Sequence, residues 1–244
     1  MSILRQFTKR VLTTCVPPRL LLTRGLRHVP SERPRLALTF DDGPHPVYTG
    51  QLLDVLREAH LKATFFVVGK EAARYPELIQ RMANEGHEIG NHTWSHGDPA
   101  QTSPRNFLDE VRQTDELVES LTGRIPQSMR PPKGELNWTK LSGLWRQGKT
   151  VALWNVDPRD YRMNDAGEVA VWKSRYEPTD GDVLLFHDNH PWAIVAVELM
   201  LNRGVFARYR AVTISELIRR EMPGKRLETI LQPTESPSSI VTYT

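Results

Sequence analysis

The sequence holds one cysteine in 244 residues, Cys15. No intramolecular disulfide can form. The thiol also lies far in sequence from every other residue with catalytic chemistry, and thiol catalysis needs a partnered, activated sulfur. Cys15 is therefore read as structural or incidental. Acidic residues are absent from the first 30 positions, which carry Arg5, Lys9, Arg10, Arg19, Arg24 and Arg27. That arm holds six positive charges, and because the whole chain is only +3, the remainder is three units negative. The basic character belongs to an arm and not to a globule, which argues against a nucleic-acid-binding face on the main body. No stretch approaches the ~18–20 apolar residues of a membrane helix. Internal repeats are missing as well, and no G-x-G-x-x-G comes after the first strand pattern, so a dinucleotide fold is disfavoured.

Within the arm, Ile3, Leu4, Phe7 and Val11 fall at helical spacing with Arg5, Lys9 and Arg10 between them. That pattern suits a basic amphipathic segment in weak contact with a membrane surface, an Arg-rich targeting peptide or a plain basic tail. It makes a poor secretory signal, because residues 11–16 are short and polar in the middle and Pro17, Pro18 and Arg19 interrupt the chain directly after them.

What is present is a globular composition, 39% hydrophobic and 25% charged, enough for one sizeable core. From residue 35 the pattern becomes regular. Strands are expected at 35–40, 63–68, 88–91, 127–130, 150–154, 182–186 and 211–213. Between them, helices are expected at 48–59, 76–85, 103–121, 137–146, 166–175, 192–201 and 214–220. Pro76 and the Ser103, Pro104 pair are helix-start signals, and Gly86 and Gly123 are stop signals. Strands alternating with helices about seven times are the signature of a parallel α/β sheet or barrel. Residues 222–244 lose periodicity and gain Pro, Ser and Thr. The expected division is an arm at 1–34, one domain at 35–222 and a tail at 223–244.

In a (β/α) barrel, reactive residues sit at the C-terminal ends of strands. The first strand ends in "TFDDGP", with Asp41 and Asp42 adjacent; the third runs into "NHTWSH", with His92 and His96; others end in "MRPPKG", "WNVDPRDY" and "LLFHDNH". Nearly every polar group with catalytic potential thus falls at one end of its strand, which turn chemistry alone does not explain. His92 and His96 are spaced i, i+4, and on a helical turn this puts both imidazoles on one face, suited to a single metal. Two histidines and one carboxylate leave open positions for water and substrate. If one carboxylate of the Asp pair binds metal, the other is free to act as a base.

"TFDDGP", "HTWSH", "RPPKG", "DPRDY" and "LLFHD", in this order and spacing, resemble the successive motifs of the polysaccharide deacetylases, the NodB-homology family of metal-dependent carbohydrate esterases (family 4). The resemblance covers roughly residues 35–222. It implies an irregular seven-stranded (β/α) barrel of NodB-homology type that deacetylates an N-acetylated oligo- or polysaccharide, such as a chitin oligosaccharide or peptidoglycan. It further implies that Asp42, His92 and His96 hold one divalent metal, usually zinc, with cobalt or another divalent ion as the alternative. A metal-bound water attacks the acetamide. Asp41 is its general base, with Arg130 keeping that carboxylate ionised, and His187 is the general acid, oriented and raised in pKa by Asp160. Leu185 lines the acetyl-methyl pocket, and a backbone N–H near Lys133 donates to the oxyanion. Pro132 shares that turn, and Trp94, like Trp138 and Trp192, is either a sugar-stacking face or a groove wall. The family mostly works in the cell envelope or outside the cell; the cytoplasm stays open because the N-terminus is not a convincing signal.

Two positions depart from the family pattern. Lys133 stands where the family carries an aromatic, so a wall of the groove is expected to be lost, with an effect on substrate choice. Tyr161 replaces the usual Trp. His45 and His190 lie beside motifs and are not read as ligands. Two histidines and a carboxylate also hold non-haem iron in oxygenases, but redox chemistry has no use for Asp41 or for the His187–Asp160 pair. An O-acetyl xylan-type esterase or a small-amide amidohydrolase stays open because of Lys133. A non-catalytic carbohydrate-binding module is opposed by the intact Asp41, Asp42, His92, His96 and His187.

Overall fold

A computed structural model of the chain describes Leu21, Leu22 and residues 33–218. Cys15, the six basic residues of the arm and the tail at 223–244 lie outside the described residues. Eight strands are present among the described residues: β1 (Leu21–Leu22), β2 (Arg35–Asp41), β3 (Thr64–Val67), β4 (Glu88–Asn91), β5 (Ser128–Met129), β6 (Thr150–Ala152), β7 (Asp182–His187) and β8 (Arg210–Ala211). All pairings are parallel, in the order β1-β6-β5-β4-β3-β2-β7, with β8 beside β2. The helices are α1 (Tyr48–Glu58), α2 (Gly69–Arg74), α3 (Pro76–Asn84), α4 (Pro104–Thr122), α5 (Trp138–Arg146), α6 (Ala166–Arg175), α7 (Trp192–Asn202), α8 (Val205–Arg208) and α9 (Ile214–Ile218).

The sheet curls into the expected irregular barrel. Among the described residues no ladder joins β7 to β1, and a bridge between Val156 and Leu184 spans this seam. One departure from expectation is β1. The expected arm at 1–34 includes Leu21 and Leu22, yet these residues pair with Val151 and Ala152 of β6, so the sheet starts before residue 35. A two-residue strand carries no readable periodicity. The short helices α2 and α8 are hidden from sequence spacing for the same reason.

Strand residues alternate faces, and this sorts the barrel. Leu36, Leu38 and Phe40 of β2 join Leu184 and Phe186 of β7 in an outer core packed under the helices, with Leu52, Leu53 and Leu56 of α1. Ala37 and Val183 face the interior with Phe66, Ala152 and Leu22, and Ile214 and Leu217 of α9 plug the lower end. Asp41 is on the same face as Ala37 and Thr39, so its carboxylate looks into the barrel and not out to water. Helix boundaries follow the sequence signals. Ser103 Oγ accepts from Asn106 N at 3.2 Å, Pro104 is the first helical residue, and Gly123 ends α4 at φ 71°, a left-handed conformation that glycine adopts without cost.

Candidate active site

Register brings the strand ends to one level. Asp41 is opposite Phe66 of β3 and His187 of β7, Asn91 is opposite Met129, and the Arg130 amide donates to Asn91 O at 3.0 Å. Asp41, His92, Arg130 and His187 therefore converge on the C-terminal mouth of the barrel.

Arg130 is fully buried. Its Nη1 donates to Asp41 Oδ1 and to Thr39 Oγ1, both at 2.7 Å, while Nε and Nη2 donate to the carbonyls of Ala152 and Leu153. The guanidinium lies 4.3 Å from the Phe66 ring centroid, a cation–π arrangement. Asp41 thus has one oxygen fixed in an ion pair, and its Oδ2 faces His92 Nε2 at 3.7 Å.

Asp42 Oδ1 stands 3.4 Å from His92 Nε2 and 3.3 Å from His96 Nε2. This oxygen is buried with no hydrogen-bond partner, and the three ligand atoms lie within 4.8 Å of one another. The ring of His92 is oriented by its Nδ1, which sits 2.6 Å from Arg130 O. Assigning the proton to Nδ1 leaves the Nε2 lone pair facing Asp42, as an outer partner does for a metal-binding histidine. Burial opposes charge on Asp42, but the facing His92 and His96 outweigh it and hold its carboxyl well below the usual carboxylate range. On His92 burial is again outweighed, by Asp41 and then Asp42, and its pKa is raised. Burial and the neighbouring His92 lower that of His96. An orphaned carboxylate oxygen between two imidazole nitrogens is a fit for a divalent ion with nitrogen and oxygen ligands, zinc among them.

The expected helical turn between the two histidines is not there. Residues 92–96 form a loop in which Thr93 (φ 67°) and His96 (φ 53°) are left-handed. Tertiary bonds override the i, i+4 geometry: Glu110 on α4 accepts from the amides of Trp94 and Ser95 and from Ser95 Oγ, and Asn91 Oδ1 accepts from Thr93 N. The imidazoles still end 4.8 Å apart, centre to centre. Asp42, Lys133 and Arg159 also have positive φ. Five of the six such non-glycine residues in the described chain thus flank this mouth, where strain is commonly stored for function. The sequence motifs gave no hint of Glu110, although its place on the inner stripe of a helix following the histidines was available.

Opposite this cluster, His187 Nδ1 is 2.8 Å from Asp160 Oδ1, and Asp160 Oδ2 accepts from the His187 amide at 2.8 Å. Burial disfavours the imidazolium, yet the Asp160 contact prevails and raises the His187 pKa to about 9. Its other ring nitrogen takes no part in these two bonds, and the ring lies edge-on to Tyr161. Asp188 lies beneath, fully buried, with Thr49 Oγ1 donating to Oδ2 at 2.5 Å.

The residues expected to line a substrate divide. Leu185 is buried in β7 on the face of Val183 and His187, two positions below the latter. Pro132 is buried in a short 3-10 turn, Pro132–Gly134. Lys133 is exposed and its ammonium donates to Asp98 at 2.8 Å. Trp94 is half-buried, with its ring packed against Gly69 of α2, where a Cβ would come within 2.4 Å. Trp138 is exposed, edge-on to Trp145, and Trp192 packs on the outer core. His45 accepts from the amides of Val47 and Tyr48 at the start of α1, a structural role.

With this geometry established, comparison with known proteins gives consistent results. The family model for polysaccharide deacetylase matches residues 28–152. The peptidoglycan-N-acetylmuramic acid deacetylase PdaC of Bacillus subtilis is 36% identical over 182 residues, 75% of this chain and 38% of that protein. A peptidoglycan-N-acetylglucosamine deacetylase of Bacillus cereus is 35% identical over 196 residues, 78% of this chain and 91% of the relative. The solved structure of PdaC aligns with a TM-score of 0.70 at 36% identity, covering 78% of this chain and 92% of that one. The chain spans well under half the full length of PdaC.

Proposed function

The chain belongs to the polysaccharide deacetylase family, and on that premise we propose that it hydrolyses the N-acetyl group of an N-acetylated glycan, releasing acetate and a free amine. The observation that carries this reading is the pairing of two oppositely prepared groups across one cleft. Asp41 is an Arg130-held carboxylate with a free oxygen, and His187 is an Asp160-held imidazolium with a free nitrogen.

Amide hydrolysis needs an activated nucleophile, a stabilised oxyanion and a protonated leaving group. Asp42, His92 and His96 would hold a divalent ion, zinc in our reading, which would supply Lewis acidity and lower the pKa of a water to about 7. Asp41 Oδ2 accepts the proton of the attacking water. The oxyanion meets the amide of Lys133. Pro131 and Pro132 have no N–H, and the amides of Gly134 and Glu135 are bonded to the carbonyls of Pro131 and Pro132, so Lys133 offers the amide of this turn. Leu185 takes the methyl group. His187, protonated at neutral pH by its raised pKa, delivers its proton to the departing nitrogen. Proton-transfer groups of this kind contribute roughly 10²–10⁴-fold each.

The Asp160–His187 pair favours an N-acetyl over an O-acetyl substrate, because an amine cannot leave as an anion whereas an alcohol leaves with far less help. Lys133, tied to Asp98, gives the groove an ionic wall in place of an aromatic one. Peptidoglycan and chitin-type oligomers are the proposed substrate class, and a peptidoglycan substrate would put the chain at the cell envelope. No helix among the described residues is long and apolar enough to cross a membrane. The test is acetate release from a panel of N-acetylated and O-acetylated oligosaccharides with zinc. Acetate from the N-acetylated set, abolished by chelation and restored by zinc, is expected; acetate from the O-acetylated set alone would overturn the reading.

A further inference from the structure

His190 has no role in the chemistry above, and its surroundings are unusual. Both ring nitrogens are buried and neither has a hydrogen-bond partner. Its Nε2 is 3.8 Å from Asp160 Oδ2, beyond a hydrogen bond. The His187 ring lies 6.1 Å away, centre to centre. One ligand atom from each of Asp160, His187 and His190 falls within a 4.8 Å span. That is the same donor set, two imidazoles and a carboxylate, as the Asp42 cluster.

We propose that Asp160, His187 and His190 form a second binding site for a transition-metal dication, distinct from the Asp42, His92 and His96 site. Nitrogen and oxygen donors at 2.0–2.1 Å around a tetrahedral zinc stand about 3.3 Å from one another. Asp160 Oδ1 is 2.8 Å from His187 Nδ1 and Asp160 Oδ2 is 3.8 Å from His190 Nε2, on either side of that spacing, so a turn of the carboxylate that brings one oxygen between the two rings assembles the site. It would satisfy the His190 nitrogen that faces Asp160, which the protein leaves unpaired. The donor chemistry suits zinc, cobalt, nickel or copper and not magnesium or calcium, which prefer all-oxygen ligands. Binding here breaks the 2.8 Å Asp160–His187 hydrogen bond, whereas Asp42 Oδ1 has no partner to give up, so this site fills after the other. On the deacetylase reading, and only on it, filling the second site removes the general acid, and excess metal inhibits the enzyme.

The test is equilibrium dialysis of the full chain against zinc, with metal analysis, for wild type, His190→Gln and His96→Ala. Circular dichroism melts report folding, and His190→Asn serves if the first His190 variant does not fold. Two zinc ions per wild-type chain, and one in each variant, is the expected result. One zinc in wild type that survives in His190→Gln and is lost in His96→Ala overturns the second site and leaves the first intact. One zinc lost in His190→Gln but retained in His96→Ala supports the second site and overturns the first. Two zinc ions in both wild type and His190→Gln overturn the assignment to His190. Where the protein deacetylates, a zinc titration of activity in wild type rises and then falls, and His190→Gln weakens the inhibitory phase at least tenfold.

Discussion

Arg130→Met isolates what the ion pair at the barrel mouth contributes. Arg130 has no exposed surface, and Asp41 is 3% exposed. Methionine fills most of the aliphatic volume but leaves Asp41 a buried charge faced only by His92, 3.7 Å away and beyond a hydrogen bond. It also strips donors from Thr39 Oγ1 and from the Ala152 and Leu153 carbonyls. Removing one partner of a buried pair typically costs ~3–5 kcal/mol, a large part of the ~5–15 kcal/mol that holds a domain together. The assay is urea unfolding of zinc-free protein followed by tryptophan fluorescence. Arg130→Met is expected to lose at least ~3 kcal/mol. Asp41→Asn combined with Arg130→Met removes the orphaned charge and is expected to recover ~1–3 kcal/mol of that loss, so the two changes are strongly non-additive. Arg130→Met within ~1 kcal/mol of wild type, or a double variant equal to the sum of the singles, would refute the reasoning that the pair is a buried, mutually dependent unit.

The same geometry has further consequences. On the proposed mechanism, in which His187 acts as the acid, deacetylation should fall as pH rises through about 9, the value to which its pKa is raised. Asp160→Asn should move that alkaline limb down to ~6.5 or below, with at least a tenfold loss at pH 7.5; an unmoved limb would exclude His187 as the acid. Gly43→Ala places a Cβ 2.1 Å from Asp188 Oδ2 and is expected to cost ~1–3 kcal/mol in unfolding experiments, together with weakened zinc binding through the adjacent Asp42. Glu110→Ala frees the amides of Trp94 and Ser95 and is expected to lower zinc affinity ~10–100-fold, the usual range for an outer partner, measured by chelator competition.

The strand ends were legible because each strand carries its own local pattern, and because reactive residues follow the last apolar position directly. "LALTF" before Asp41 and "VLLF" before His187 fix both the strand and the level of the residue after it. Five motifs in order carried the family resemblance, and the barrel followed from it. What was not legible depends on tertiary partners. Leu21 and Leu22 are a strand only because β6 lies beside them. The His92–His96 segment looked helical by spacing, and Glu110, eighteen residues after His92, holds it in a loop. Lys133 gave no sign that Asp98 restrains its side chain. His190 read as a bystander because nothing in sequence brings it to Asp160. Spacing reports which residues share an element; it does not report what a loop is held by.

The most direct test of the central claim compares wild type with Asp41→Asn, each loaded with zinc and measured for bound metal before acetate release from an N-acetylated glucosamine oligomer is followed. Both proteins are expected to bind zinc at the Asp42, His92 and His96 site, and only wild type to release acetate at a sustained rate, the variant falling by at least about a hundredfold. Zinc-loaded wild type that releases no acetate from N-acetylated glycans, or an Asp41→Asn protein that turns over as well as wild type, would contradict that claim.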